Sequence, residues 1–310
     1  MIPRFIANDG SQPPSTTAVP LVPVALNKGV LTRWLSPAIS IAILLAALWQ
    51  LRSVDFAQLV RMVPRSAGFW LLFVGGYLIT PASEWIIFRR LWQLPARGFV
   101  ALLRKRISNE IVLGYSGELY FYGWARRHAT MVGAPFGAIK DVAILSALVA
   151  NLCTLVLAMA TWRLFAGTPF GFDTRLVAVS AACMTIPSVT AFLLRKRLFT
   201  LRQPELIRIA VIHFVRIVAT TVAAALLWAS VLPSAPLTWW LALATLRLLV
   251  SRLPLLPNKD IVFAGLVAFT VGNASGVTAV MTMIAAIWLA THLLLGVVLA
   301  AYELATERAR

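Results

Sequence analysis

Residues 277–302 read VTAVMTMIAAIWLATHLLLGVVLAAY, an apolar run that contains no lysine, arginine, aspartate or glutamate. A helix needs about 20 mostly apolar residues to cross the hydrocarbon core of a bilayer, and this run provides them. Further runs of similar character lie at 37–51, 68–88, 141–163, 174–194 and 208–232. The sequence therefore predicts an all-α polytopic membrane protein with about six spanning helices.

The composition also indicates lipid as the main solvent. Of the 310 residues, 60% are hydrophobic and 13% are charged, whereas soluble domains contain about 45–50% apolar and about 25% charged residues. The 28 lysines and arginines outnumber the 11 aspartates and glutamates, which gives a net charge of +17. Because these cations collect between apolar runs, they favour the positive-inside rule and contact with anionic lipid headgroups. We expect no nucleic-acid partner.

The distribution of loop charges predicts the orientation of the chain. The loops at 89–134 and 195–207 are basic and should face the cytoplasm, whereas 166–172 and 232–236 carry no charge. Six spans then place both termini in the cytoplasm. Because the composition is basic and rich in aromatic residues, we expect a bacterial inner membrane.

Composition divides the chain into three parts. Residues 1–30 are rich in proline, serine and threonine and predict a flexible cytoplasmic tail. Residues 31–303 are expected to form a single transmembrane domain with halves at about 31–163 and 174–303. Residues 304–310 form a short charged tail.

Two segments, 89–134 and 237–274, contain apolar runs that are broken, and the first segment is also basic. The first is interrupted at Gly114 and Gly117, and the second at the Pro-rich stretch 253–257. Broken helices are tolerated at membrane depth where they line a cavity. On the predicted topology the two segments enter from opposite sides, so we expect re-entrant helical hairpins in pseudo-inverted halves, with a transporter-like site near the midplane. The alternative is two amphipathic hairpins on the membrane surface.

The stretch 113–119, Leu-Gly-Tyr-Ser-Gly-Glu-Leu, follows Asn109 and resembles the Pro-Gly-x-x-Gly-Glu motif of the lysylphosphatidylglycerol synthase transmembrane-region family. Residues 253–257 resemble the second Pro-rich break of these flippase-like proteins. Leu113 stands at the family's proline, and aromatic residues replace the arginine that usually follows Gly-Glu, for which Arg126 would substitute. The resemblance implies a lipid-handling membrane domain. In well-known members such a domain moves an aminoacylated phospholipid between leaflets and is fused to a soluble aminoacyl-transferase domain, which we do not expect here.

Ionisable side chains at membrane depth are functional candidates, because burying one in lipid is costly. We expect Arg126, Arg247 and Arg252 to hold a phosphate through paired hydrogen bonds. Glu118 would contact a polar or cationic part of the headgroup. The predicted substrate-binding residues are Glu118, Arg126, Arg247, Arg252, Asn109 and Lys259, with Gly114 and Gly117 as motif glycines.

Structural alternatives exist for these candidates. Glu118 also suits capping at the start of a helix. Arg247 and Arg252 also suit snorkelling towards the interface. Lys259 and Asp260 also suit an ion pair with each other.

Other charges are expected to pair or to meet the membrane surface. Arg106 lies four residues before Glu110, which is the spacing of a helical pair. Arg216 and His213 share a helix face and suit an anionic ligand, or else pairing with Glu205 or a carbonyl. The basic cluster expected to contact anionic headgroups at the surface comprises Arg89, Arg90, Arg104, Lys105 and Arg106.

The predicted function is a lipid flippase or transporter for a phospholipid or lipid-linked anionic substrate. The alternative is a non-transporting accessory or scaffold subunit for an envelope-lipid or glycosyltransferase enzyme. Besides the anionic lipid, the candidate partners are a membrane enzyme or further copies of this chain. No HExxH, CxxC, GxSxG or P-loop pattern occurs, so we expect neither an enzyme nor a bound metal or cofactor. A membrane-embedded enzyme is the weakest of the three hypotheses.

Overall fold

The structure is a computed structural model, and it describes six stretches of the chain. These are residues 63–112, 116–129, 135–166, 182–252 apart from positions 183, 187 and 192, 259–271 and 276–308. The predicted tail at 1–30 and the predicted span at 37–51 lie outside the described residues, as does most of the predicted span at 174–194.

The described residues form helices and no strand. In chain order the helices are α1 (Ala67–Trp92), α2 (Gly98–Ile111), α3 (Ser116–His128), α4 (Pro135–Ala166), α5 (Arg195–Leu198), α6 (Gln203–Val231), α7 (Leu237–Ser251), α8 (Lys259–Val271) and α9 (Gly276–Arg308). Local sequence explains several boundaries. Pro204 lies in the first turn of α6, where its missing N–H costs no hydrogen bond. Gln93 ends α1 in a left-handed conformation with φ of 50°.

Four helices are long and apolar enough to cross a membrane. They are α1, residues Phe136–Thr161 of α4, α6, and residues Gly276–Glu303 of α9. They coincide with the predicted spans at 68–88, 141–163, 208–232 and 277–302. The prediction of an all-α membrane protein is therefore confirmed, with four candidate spanning helices among the described residues.

Helix α6 shows how one amphipathic pattern sets the packing. Its exposed valines at 211, 215, 218 and 222 form a stripe at helical spacing, as expected for a surface in contact with lipid. The opposite face is buried at Ile209, Ile217 and Trp228, where α6 packs against α1, α4 and α7. Helix α9 packs against α2 and α8 and also contacts α6.

The two broken segments each fold as a pair of shorter helices. Segment 89–134 contains α2 and α3, which pack against each other, and segment 237–274 contains α7 and α8, which also make contact. The residues between the paired helices, 113–115 and 253–258, lie outside the described part of the chain. The predicted division of both segments into two helices is therefore present.

Candidate functional site: a charged cavity between the helices

A cavity of about 350 Å³ lies between the helices, and α1, α2, α3, α4, α6, α7, α8 and α9 all contribute to its wall. Its charged lining residues are six cations, Lys105, Arg106, Arg216, Arg247, Arg252 and Lys259, and four carboxylates, Glu84, Glu110, Glu118 and Asp260. Six positive groups against four negative groups leave two net positive charges. In a chain with only 13% charged residues, this concentration marks the cavity as the candidate site.

Lys105 joins three helices at one end of the cavity. Its Nζ lies 2.7 Å from Oε1 of Glu84 on α1 and 3.3 Å from Oε1 of Glu118 on α3. The three side chains are buried or nearly so, with exposed fractions of 8%, 12% and 22% in the order Lys105, Glu84, Glu118. The second oxygen of Glu118 is buried without a hydrogen-bond partner in the described structure. This cluster carries one excess negative charge.

Arg247 and Asp260 form an ion pair that joins α7 to α8. The distance from Arg247 Nε to Asp260 Oδ1 is 2.5 Å. The neighbouring Lys259 donates instead to the Ser251 carbonyl at 2.8 Å, and Arg252 donates to the Ser251 hydroxyl at 2.8 Å. The alternative that Lys259 pairs with Asp260 is therefore wrong, because successive residues on a helix project in different directions.

Arg106 and Arg216 enter the cavity with neutral partners. Arg106 donates to the Tyr77 carbonyl, and its guanidinium lies 4.5 Å from the centre of the Tyr77 ring and 5.3 Å from that of Trp288. Arg216 Nη2 donates to the Ser146 hydroxyl at 2.8 Å. No ion pair between Arg106 and Glu110 occurs in the described structure. The aromatic groups on α1 and α9 hold Arg106 instead.

The prediction that Arg216 and His213 bind an anion together is wrong, because His213 does not line the cavity, and the alternative pairing of Arg216 with Glu205 does not form either. His213 is fully buried beside α4, and neither ring nitrogen has a hydrogen-bond partner among the described residues. Glu205 lies near Arg90 at 3.4 Å and near Arg208 at 3.6 Å, outside the cavity. Of the three, only Arg216 belongs to the cavity wall.

The start of α3 lies against α2 at a glycine. The N–H of Gly117 donates to Asn109 Oδ1 at 2.7 Å, and the Ser108 and Ser116 hydroxyls are 2.8 Å apart. A Cβ atom at position 117 would lie 2.1 Å from the carbonyl oxygen of Lys105. The backbone approach that positions Glu118 therefore requires a residue without a side chain.

The predicted site residues divide into three groups. Five of them lie on the cavity wall: Glu118, Arg247, Arg252, Asn109 and Lys259. Gly117 does not line the cavity and lies against Lys105 and Asn109 of α2. Gly114 lies outside the described residues. Arg126 is exposed near the end of α3 with its guanidinium 5.7 Å from the centre of the Tyr122 ring, and it does not line the cavity.

The predicted basic surface cluster is only partly at the surface. Arg89 and Arg90 are exposed, but Arg104 and Lys105 are buried, with exposed fractions of 3% and 7%. Arg104 pairs with Glu303 on α9 and lies over the Tyr120 ring. Adjacent helical residues project about 100° apart, so three successive cations cannot share one exposed face.

Sequence reasoning assigned other roles to several cavity residues. Lys105 and Arg106 were expected at the surface, while Glu84 and Glu110 had no predicted place in a site. For Arg216 and Glu84 the signal was present, since both are ionisable residues inside apolar runs.

Where the chain is described, no cluster of three or more histidine, cysteine, aspartate or glutamate residues could hold a metal ion.

Comparisons with protein-family models, with curated proteins and with solved structures found no match. The cavity itself therefore carries the functional argument.

Proposed function

We propose that the chain is a lipid transporter that moves a phospholipid or lipid-linked substrate with an anionic headgroup between leaflets. The observation that carries the proposal is the charged cavity, whose wall includes all four described helices that are suited to cross a membrane, α1, α4, α6 and α9. A net positive cavity in a low-dielectric protein attracts anions and disfavours cations. Its chemistry suits a phosphate, which arginine binds through paired hydrogen bonds.

The size of the cavity supports a headgroup as the bound part. About 350 Å³ is near the lower end of the range of small-molecule sites, about 300–1,000 Å³. The headgroup would occupy the cavity while the acyl chains stay in the bilayer. The apolar chains then remain solvated by lipid throughout the movement, and the polar headgroup avoids most of its desolvation cost.

Three cations are best suited to bind the anion. Arg106, Arg216 and Lys259 take part in no ion pair within the described chain, and each donates to a neutral oxygen. A hydrogen bond between charged partners is about twice as strong as one between neutral groups. These cations therefore gain by exchanging a neutral partner for phosphate, whereas Arg247 would have to leave Asp260.

The paired short helices support a transporter of the flippase-like type. Both pairs, α2 with α3 and α7 with α8, contribute cations and carboxylates to the same cavity. We propose that they are re-entrant hairpins in opposed halves, as in the resembled lysylphosphatidylglycerol synthase transmembrane-region family. In keeping with the basic loops, we propose a bacterial inner membrane with both termini in the cytoplasm.

Headgroup accessibility in proteoliposomes tests this function. Fluorescent anionic phospholipid is incorporated, and dithionite quenches the dye in the outer leaflet. We expect wild-type protein to raise quenching above the protein-free level. Arg216→Gln should reduce the excess rate about tenfold or more, because a hydrogen bond to a charged group contributes about 1.5–3 kcal/mol.

The matched control is Arg208→Gln on the same helix. Arg208 is exposed, lies outside the cavity and contacts Glu205 at 3.6 Å. This variant should keep the wild-type rate. Equal rates for both variants would contradict the cavity as the path. If no lipid class shows excess quenching in any variant, the accessory-subunit hypothesis becomes the better one.

A further inference from the structure

Glu110 differs from the other carboxylates of the cavity. Glu84 and Glu118 contact Lys105, and Asp260 contacts Arg247. Within the described part of the chain, Glu110 makes neither an ion pair nor a hydrogen bond. An unpaired carboxylate in a low-dielectric interior is unfavourable unless a cation or a proton compensates it.

Charged and titratable groups from several helices surround Glu110. Those that act on it electrostatically are Arg106 on its own helix, Tyr77 on α1, Arg247 on α7, and Lys259 and Asp260 on α8. His292 on α9 lines the small cavity with it, and the other charged residues of the large cavity are Glu84, Lys105, Glu118, Arg216 and Arg252. Arg106, Lys259 and Arg247 favour the ionised form of Glu110, and Asp260 opposes it. Burial raises the pKa of Glu110, and the Asp260 carboxylate raises it further.

Glu110 also lines a second, small cavity of about 10 Å³. Glu110, Asp260 and His292 all line it, and its volume is close to that of one water molecule. The Nδ1 atom of His292 lies 3.0 Å from the Tyr77 hydroxyl. Glu110 therefore borders both the large cavity and a small one that also contains a second carboxylate and an imidazole.

We propose that Glu110 takes up one proton when the large cavity binds its anion, so that anion and proton cross the membrane together. This inference rests on the proposed function. Two of the three cations that favour ionised Glu110, Arg106 and Lys259, are those best suited to hold the anion. Once the anion occupies them, an ionised Glu110 would face a second negative charge, and protonation of its carboxylate removes that repulsion.

The expected pH dependence follows from the charge of Glu110. Ionised Glu110 opposes the anion, so binding should weaken as the pH rises through the Glu110 titration. The linkage of one proton to one anion limits the slope to about tenfold per pH unit. Glutamine at this position cannot ionise, so Glu110→Gln should bind the anion equally well across the pH range.

Calorimetric titration of the full chain in phosphatidylcholine nanodiscs tests the inference. The probe is dihexanoyl phosphatidylglycerol, a phosphodiester that lacks the second ionisation of a phosphomonoester, at about pH 6, and so keeps a single negative charge throughout the titration. Two buffers with different ionisation enthalpies report the protons taken up. Titrations repeated across the pH range should show that uptake by wild type approaches one proton per probe where Glu110 is ionised in the free protein, and that Glu110→Gln takes up none at any pH. Glu205→Gln, which changes a half-buried carboxylate outside the cavity, should take up as many protons per probe as the wild type.

The outcomes separate this inference from the proposed function. Probe binding without proton uptake by wild type would overturn the role of Glu110 and leave the anion site in place. Proton uptake by a folded Glu110→Gln variant that equals the wild-type uptake would also overturn the role of Glu110 and leave the anion site in place. No probe binding at any pH would overturn both the anion site and the proton coupling. The wild-type proton count needs no variant, so it remains decisive if Glu110→Gln does not fold.

Discussion

Lys105→Met should lower the free energy of unfolding by about 3–5 kcal/mol, because removing one partner of a buried ion pair leaves uncompensated charge behind. Lys105 contacts Glu84 at 2.7 Å and Glu118 at 3.3 Å. Methionine fills a similar volume but leaves both carboxylates without a cation. Thermal unfolding in detergent micelles, followed by circular dichroism, measures the loss.

Two variants control for this prediction. Arg90→Met also removes a cation from a glutamate, but Arg90 is exposed and 3.4 Å from Glu205, so its loss should cost at most about 1 kcal/mol. Adding Glu84→Gln to Lys105→Met should restore part of the stability, since one of the two carboxylates becomes neutral. If Lys105→Met melted like Arg90→Met, the buried three-residue cluster would be refuted.

Gly117→Ala is expected to destabilise the protein by about 1–3 kcal/mol or more and to abolish lipid movement. The added Cβ would lie 2.1 Å from the Lys105 carbonyl oxygen. A backbone atom cannot rotate away, so α2 and α3 must separate, and overpacking of this kind costs about 1–3 kcal/mol even where side chains relax. Separation also breaks the Gly117–Asn109 hydrogen bond and displaces Glu118.

Two other glycines provide matched controls. Gly75 in α1 and Gly265 in α8 have no atom within 4 Å of an added Cβ. Alanine at either position should leave the melting temperature unchanged or slightly raised, because alanine favours the helix over glycine. Both measurements use the same micelles and the proteoliposome quenching assay. A melting temperature for Gly117→Ala equal to that of the controls would contradict the close helix contact.

The spanning helices could be predicted because lipid imposes a uniform requirement on sequence. Any stretch long and apolar enough to span must be a helix, whatever it packs against. The division of each broken segment into two helices was also predictable, from the glycines at 114 and 117 and from the Pro-rich stretch 253–257, since glycine and proline interrupt helices for local backbone reasons. These properties depend on neighbours in sequence, so four spans and two divided segments could be identified from it.

The pairing of charges could not be predicted, because it depends on which helices meet. Asp260 pairs with Arg247 across two helices and not with the adjacent Lys259. Arg106 has the right spacing for Glu110, yet Tyr77 and Trp288 on other helices hold it. Inside the bundle, the desolvated groups of a neighbouring helix outweigh a local pair, which stabilises an isolated helix by only about 0.2–0.5 kcal/mol.

The placement of the basic stretch 104–106 shows the same limit. Three successive cations read as a surface patch, but Lys105 turns towards two carboxylates and Arg104 towards Glu303. Hydrophobicity alone assigns such residues to solvent. The burial of Arg104 and Lys105 is favourable only because carboxylates on α1, α3 and α9 pair with them.

Photo-crosslinking from the lipid headgroup tests most directly whether the cavity holds it. An anionic phospholipid with a diazirine in its headgroup is reconstituted with the full chain, and mass spectrometry locates the modified residues. Helix α6 offers an internal comparison, since Thr220, Ala223 and Leu227 line the cavity while Val218 and Leu226 are exposed on the apolar face.

The headgroup should modify the cavity side of α6, and unlabelled anionic lipid should compete with the reaction. Arg216→Gln should reduce it, whereas Arg208→Gln should not. Crosslinks confined to Val218, Leu226 and other exposed positions would place the headgroup outside the protein and contradict the cavity as the site of lipid movement.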